Sequence, residues 1–536
     1  MQTLQVKRLL GREQLILAYG PALPIWPQNT AQAAVGPVAN QSRRALDEGA
    51  PYPIQSKFIS STPEKNPEKS AQMKTVKSWF VLSNNIKKIK PYIILIILFS
   101  STSVISYSSE YSWHDQQRIA QILLLTICSL HYLVKPDTFK SFSSSLPGLI
   151  LAIGLISSTI SEHPGWAAKE WSIYVGLWAL CLTYKNILTT EKSQREIFFI
   201  IATVGLILAF NFLTSYLSSI FSNQKSLDAD VLFSGFSNPR FFGQFQAILI
   251  PTLAHLFFTS KDQRALKLLI LATLVLHWCI SYLLGGRGLW LSLIIAYTFG
   301  LLVTNRALPI INIQILAASL GFFIFKLMFF LIPDQIGATS KIYESLRTGL
   351  SARDLLWSAA WEAAQNNLLL GIGPMHLSAS INPVAAHPHQ VILQWFAEWG
   401  LPATFLAVAT AIKGIYKGCT TTHTTKNPDD LCILIVLMSL LVLAQVDGVF
   451  VMPYTQTWVA IFASIACARW ASTGLNVKYP FIVTKGFMLV AAFVLAKTII
   501  LEAPNLPNSE KNYYEKNHST PKPRFWLQGW IPMSEN

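Results

Sequence analysis

Ala265-Leu-Lys-Leu-Leu-Ile-Leu-Ala-Thr-Leu-Val-Leu-His-Trp-Cys-Ile-Ser-Tyr-Leu-Leu-Gly-Gly-Arg-Gly-Leu-Trp-Leu-Ser-Leu-Ile-Ile-Ala-Tyr-Thr-Phe-Gly-Leu-Leu-Val-Thr304 decides the fold. Two apolar runs, 265–284 and 288–304, flank the turn Gly285-Gly-Arg-Gly288. A helix needs about 20 mostly apolar residues, sometimes as few as ~17, to cross the hydrocarbon core of a bilayer. Inside lipid every backbone N–H and C=O must be satisfied within the segment, which a helix does. The pair therefore reads as two spans joined by a very tight turn, with Arg287 held at the membrane edge.

The pattern repeats outward from this hairpin. Candidate spans lie at 91–107, 118–134, 146–160, 171–187, 196–218, 242–258 and 308–332. After a long gap come 391–412, 431–447, 455–470 and 481–499. The expected fold is all-α: a polytopic helical membrane protein of about 12–13 transmembrane helices. One long loop interrupts it and carries amphipathic helices. The expected division is a disordered extension at 1–72, helices 1–9 in 73–332, the loop at 333–390, helices 10–13 in 391–500 and a short tail at 501–536.

Composition agrees. The 536 residues are 52% hydrophobic and 13% charged, with mean hydropathy +0.40, against roughly 25% charged in soluble domains. A soluble enzyme, a disordered protein and a nucleic-acid binder are excluded on these grounds. The net charge of +15 is a topology signal, because Lys and Arg favour cytoplasmic loops. With the N-terminus inside, the inside connections hold Lys135, Lys140, Lys185, Lys192, Arg195, Lys261, Arg264, Lys267, Arg306, Lys413, Lys417, Lys426 and Lys478. The short outside ones are poorer, with Arg118, Lys169, Lys225, Arg240 and Arg287. The loop at 333–390 and the tail after Leu501 are then outside.

The first 72 residues are rich in Pro, Gln, Ser, Ala and Lys, and Ser61–Ser70 is linker-like. Met73, followed by Lys74 and Lys77, is a candidate start. The six cysteines lie in or beside apolar runs without metal-ligand spacing, and read as small buried hydrophobes.

Polar residues near a membrane are expensive, so their placement is informative. Ser237-Asn-Pro-Arg-Phe-Phe-Gly-Gln244 opens one span. Ser351 with Asp354 has the spacing of a capping box and starts a loop helix whose Leu355, Leu356, Ala359 and Ala363 share a side. His387, Gln390, Gln394 and Glu398 recur every three or four residues, a polar stripe leading into a span. Arginine's planar fork suits phosphate, and a histidine suits removal of a hydroxyl proton. Together they point to group transfer from a lipid diphosphate to a hydroxyl. Two histidines without a third ligand argue against a metal.

Competing readings are an interfacial anchor for Arg287, a phospholipid contact for Arg240 and charge balance for Arg353. Glu398 reads as a packing or orienting group rather than a catalyst. His114, His131, His163, His255, His277, His376, His423 and His518 look isolated. A transporter or lipid flippase is the alternative of a different class. Such proteins show inverted repeats and mid-membrane broken helices, whereas here no internal repeat is evident and the polar residues gather at one edge.

Four segments resemble the superfamily of O-antigen ligases, O-antigen polymerases and protein O-oligosaccharyltransferases, bacterial inner-membrane glycosyltransferases. They are Phe236-Ser-Asn-Pro-Arg240, Gly286-Arg-Gly288, Arg353…Trp357…Asn367-Leu-Leu-Leu-Gly-Ile-Gly373 and His387-Pro-His-Gln-Val-Ile-Leu393…Glu398-Trp-Gly400. The likeness covers roughly residues 90–500. Gln390 stands where the family usually has Asn, and Arg240 where relatives often have Asn.

The resemblance implies an undecaprenyl-diphosphate-linked glycan as donor, attacked with inversion, without a metal or other cofactor, at the periplasmic face. It implies His389 as catalytic base and Arg287 and Arg353, with Arg240 as a third, as diphosphate ligands. His387, Glu398 and Gln390 would support them. The acceptor is a hydroxyl of lipid A-core, which makes an O-antigen ligase, or of a protein such as pilin; a second lipid-linked glycan would make a polymerase. The missing acceptor-protein domain after Leu501 favours the ligase.

Overall fold

Each of the apolar runs winds into a helix. The computed structural model describes residues 91–134, 145–222, 227–260, 263–338, 352–382, 384–470, 481–517 and 521–531, which are helices and their connections without a strand. The segment 1–72, the start at Met73 and the capping residue Ser351 lie outside the described residues.

In chain order the helices are α1 (Pro91–Ser101), α2 (Trp113–Val134), α3 (Ser145–Ile160), α4 (Pro164–Ile187), α5 (Glu191–Phe221), α6 (Pro239–Thr259), α7 (Arg264–Leu283) and α8 (Arg287–Val303). Then follow α9 (Ala307–Lys326), α10 (Arg353–Asn366), α11 (Val391–Thr425), α12 (Pro428–Leu443), α13 (Pro453–Trp470), α14 (Phe481–Glu502) and α15 (Leu506–Asn517). By length and composition seven of the described helices can cross a membrane, and α1, most of α3 and α8 are shorter apolar helices.

The helices pack chiefly as α7 on α9, α8 on α12, α14 on α2 and α4, and α11 on α3. At the centre stands α6, the most enclosed of the long apolar helices, 83% buried. It is apolar around most of its circumference, as a helix surrounded by others must be. The amide nitrogen of its buried Gln246 finds a partner, donating to the His277 carbonyl at 2.8 Å. The outward faces of α5, α8, α9 and α14 expose Phe210, Ile294, Phe323 and Phe493. In water such a surface would aggregate; against lipid tails it is at home.

The two ends of the bundle differ. At one end Arg469 grips Asp430 in a two-pronged contact, Nε–Oδ1 2.6 Å and Nη2–Oδ2 2.9 Å. Asp430 opens α12 and Arg469 closes α13, so acid and base each complement their helix dipole. His255 meets Asp429 at 3.0 Å beside them. The opposite end gathers the loops at 102–112, 161–163, 284–286, 367–390 and 444–452 and the segment 521–531. His163 N donates to His376 Nε2 at 2.9 Å, Val391 N to the Ala444 carbonyl at 3.0 Å, and Ile531 N to the Ser378 carbonyl at 3.2 Å.

Sequence details change in three places. Helix α10 has Ala352 as its N-cap, in the left-handed conformation and without a side-chain cap bond. Its buried side is Leu356, Ala360 and Ala364, packed toward Ala397; Leu355 is exposed. The polar stripe belongs to a helix only from its cap Gln390 onward. Pro388, and a positive φ of 55° at His389, keep the histidines outside α11. Several histidines that looked isolated have partners, including His114, His163, His277 and His376.

Candidate active site

Four helices begin at this end with residues already singled out. Asn238 caps α6 by accepting from Arg240 N at 2.9 Å, and Pro239 supplies the first-turn residue that needs no N–H partner. That is the physical content of the Ser-Asn-Pro-Arg motif: it starts a helix and leaves Arg240 on its first turn. Gly285, with φ 60°, turns the chain so that α8 starts at Arg287. Arg353 is the first residue of α10. Gln390 caps α11 by accepting from Leu393 N.

The four starts come together electrostatically. Arg353 is lowered from its ordinary value by burial and, against the pull of Asp447, by Arg240 and Arg287. His389 is lowered from 6.5 to about 3, by burial first and then by Arg353 and Arg240. An arginine at a helix N-terminus works against the helix dipole, which prefers an anion there. Three arginines beside helix starts therefore make a region short of negative charge, shaped for an anion.

Asp447 is the carboxylate within this positive field. Its Oδ1 lies 3.8 Å from His389 Nδ1, accepts Gln244 Nε2 at 3.0 Å and accepts Gly448 N at 2.7 Å. Burial raises its pKa. His389 Nδ1 is buried without a hydrogen bond, and 3.8 Å is too long for one. The imidazole is thus neutral, faces a held carboxylate, and is able to accept a proton.

The loop that carries it is fixed from several sides. Trp357 Nε1, one turn after Arg353 on the same face of α10, donates to the Pro388 carbonyl at 2.9 Å. His387 is buried with its ring centroid 4.2 Å from that of His389. The Pro523 carbonyl supports its proton, and a Cβ on Gly448 would collide with Nε2. Burial, then His389 and Arg524, lower its proton affinity. Gln390 Nε2 donates to Gln445 Oε1 at 3.1 Å, tying the cap of α11 to the Asp447 loop.

The two glycine motifs interlock. Gly400, with φ 80°, breaks α11, freeing carbonyls that accept from the other motif: Ile372 N to Ala397 O at 2.9 Å and Gly373 N to Glu398 O at 3.0 Å. A Cβ at Gly371 would stand 2.5 Å from the Glu398 carbonyl carbon, so only glycine permits this approach.

Glu398 is not gathered with the arginines and His389. Its Oε1 accepts Leu377 N at 3.2 Å, and its Oε2 accepts Gln394 Nε2 at 3.3 Å and Arg524 Nη2 at 2.7 Å. Sequence reasoning missed Asp447, Gln244, Glu170, Arg118 and Arg524. A lone acid at the edge of an apolar run is the signal that could have flagged Asp447; nothing in the chain pointed to Arg524. Among the described residues no group of three His, Cys, Asp or Glu side chains is placed to hold a metal.

Fold and site together define a polytopic all-α membrane protein with a cationic, histidine-bearing face at one end of its bundle. Residues 272–408 match the family described as O-antigen ligase, so this stretch is similar to that family. The match covers about a quarter of the chain and includes Arg287, Arg353, His387, His389 and Glu398. The general function that goes with it is that of a membrane glycosyltransferase of O-antigen ligase or polymerase type. No curated protein matches the chain.

Proposed function

We propose that this protein transfers a glycan from undecaprenyl diphosphate to an acceptor hydroxyl at the periplasmic face of the bacterial inner membrane, in the manner of an O-antigen ligase. The observation that carries this reading is that Arg353 and Arg240 act on His389 while Arg240 and Arg287 act on Arg353, each arginine standing on the first turn of its helix. The arginines hold the diphosphate and neutralise the charge that grows on it as the glycosidic bond breaks, which is usually the larger catalytic contribution. His389 takes the proton from the attacking hydroxyl, and the hydroxyl oxygen bonds to the anomeric carbon from the side opposite the diphosphate, inverting it. The products are the glycosylated acceptor and undecaprenyl diphosphate.

The low proton affinity of empty His389 fits this cycle. Part of it comes from Arg353 and Arg240, whose field a bound diphosphate cancels. Donor binding thus raises the affinity of the base just when it is needed. Asp447, 3.8 Å from Nδ1, stabilises by its charge the imidazolium that forms, without a hydrogen bond to it. Lipid A-core is the acceptor we favour; a protein or a second lipid-linked glycan follows the same chemistry.

The test uses purified protein in detergent with a lipid-diphosphate-linked glycan and no ion gradient. Conversion supports an enzyme; no conversion in detergent, with uptake or flipping by the same protein reconstituted into vesicles, supports a transporter. Within the enzyme reading, Arg287→Lys should fail nearly as badly as Arg287→Ala, by about a hundredfold in turnover, because a point charge does not replace the fork. Wild-type turnover in Arg287→Lys would make Arg287 an interfacial anchor.

A further inference from the structure

The segment 521–531 is drawn into the site end of the bundle. Arg524 is fully buried: its Nη2 donates to Glu170 Oε1 on α4 and to Glu398 Oε2 on α11, both at 2.7 Å, and its Nε donates to Glu170 Oε2 at 3.2 Å. Burial works against its charge, but the two carboxylates outweigh it and hold the guanidinium above its ordinary value. The backbone around it is clamped by α2. Arg118 donates to the Phe525 carbonyl at 2.9 Å, the Arg524 carbonyl at 3.1 Å and the Val451 carbonyl at 2.6 Å. Asp115 Oδ1 accepts Leu527 N at 2.8 Å.

The same segment touches the loop that bears the histidines. Ile531 N donates to the Ser378 carbonyl, and Ser378 Oγ donates to the Ala386 carbonyl at 3.1 Å. Gly529 packs against Ala386. Glu398, which Arg524 holds, accepts Leu377 N from that loop. Three separate links therefore run from 521–531 to Leu377, Ser378 and Ala386, the last three residues short of His389.

We propose that residues 521–531 are a strap that fixes the histidine loop, and that Arg524 is a positioning residue acting on His389 through Glu398, Glu170 and the 371–387 loop. It touches no substrate. Two buried carboxylates facing each other without Arg524 are uncompensated charge, so the loop they anchor must shift. A base displaced by about an ångström loses on the order of a hundredfold in rate. The catalytic part of this proposal rests on the glycosyl-transfer reading above; the strap itself does not.

The experiment compares wild type, Arg524→Ala and Arg524→Lys as full-length protein in detergent, by backbone hydrogen exchange and by donor turnover. In Arg524→Ala, amides of 371–390 should exchange at least about tenfold faster while those in the first half of α12, at the opposite end, stay unchanged. Its kcat should fall about a hundredfold, with donor KM within about threefold of wild type. Arg524→Lys should lie between, since an ammonium keeps the charge without the two-sided fork, and it carries the comparison where Arg524→Ala is not recovered folded. Unchanged exchange of 371–390, or equal acceleration at both ends, would overturn the strap. A raised KM with wild-type kcat would put Arg524 on the donor. If wild type converts no donor, the functional reading fails while the exchange measurement still decides the strap.

Discussion

His389 holds a left-handed backbone conformation, φ 55°, that a side chain adopts at some cost. Glycine adopts it freely. His389→Gly should therefore keep or slightly raise thermal stability in detergent while abolishing transfer, which separates the histidine's chemistry from its structural burden. His389 titrates at 6.5 unperturbed and at about 3 in the fold. Between those values the unfolded chain binds more protons, so stability rises with pH. The contribution is fully present above about 6.5 and is lost as pH falls toward 3. Thermal scans from pH 7 to pH 5 should show a shallower loss for His389→Gln than for wild type, after allowance for their difference at pH 7. Gly448 supplies the room for His387: a Cβ there meets Nε2 of the imidazole. Gly448→Val should displace the histidine pair and cut kcat about a hundredfold.

At the scale of elements, the site is made where helices start. Asn238-Pro239 and Gly285-Gly286 are local devices for starting a helix, and each leaves an arginine on its first turn. These were legible in the sequence because the signal is short-range. The break of α11 at Gly400 was legible only as part of a motif; its reason, the carbonyls it frees for Ile372 and Gly373, is a contact between distant segments. Gly400→Ala forces a side chain into φ 80° and against the Leu369 carbonyl. It should lower stability by at least about 1 kcal/mol and reduce transfer together with it. Wild-type stability and turnover in this variant would remove the break from the account.

At the scale of the whole molecule, polar groups sort to the two ends of an apolar bundle. One end holds the anion-seeking arginines, and the other the Arg469–Asp430 pair and its neighbours. Arg469→Met leaves the buried Asp430 without its cation and should cost about 3 kcal/mol, read as a lower Tm, with donor KM unchanged. The helical architecture followed from apolar runs because lipid leaves the backbone no other choice. Asp447 and Arg524 did not follow, because one meets Gln244 and the other Glu170, partners 203 and 354 residues away in sequence. Local patterning carries no trace of such pairs.

That the arginine–histidine face catalyses glycosyl transfer is tested most directly by a single-turnover reaction of purified protein with its lipid-diphosphate-linked glycan and an acceptor hydroxyl, wild type against His389→Ala. Both forms should bind the donor with the same affinity. Wild type should yield glycosylated acceptor and free lipid diphosphate, and His389→Ala neither. Transfer by His389→Ala at a rate near that of wild type would contradict it.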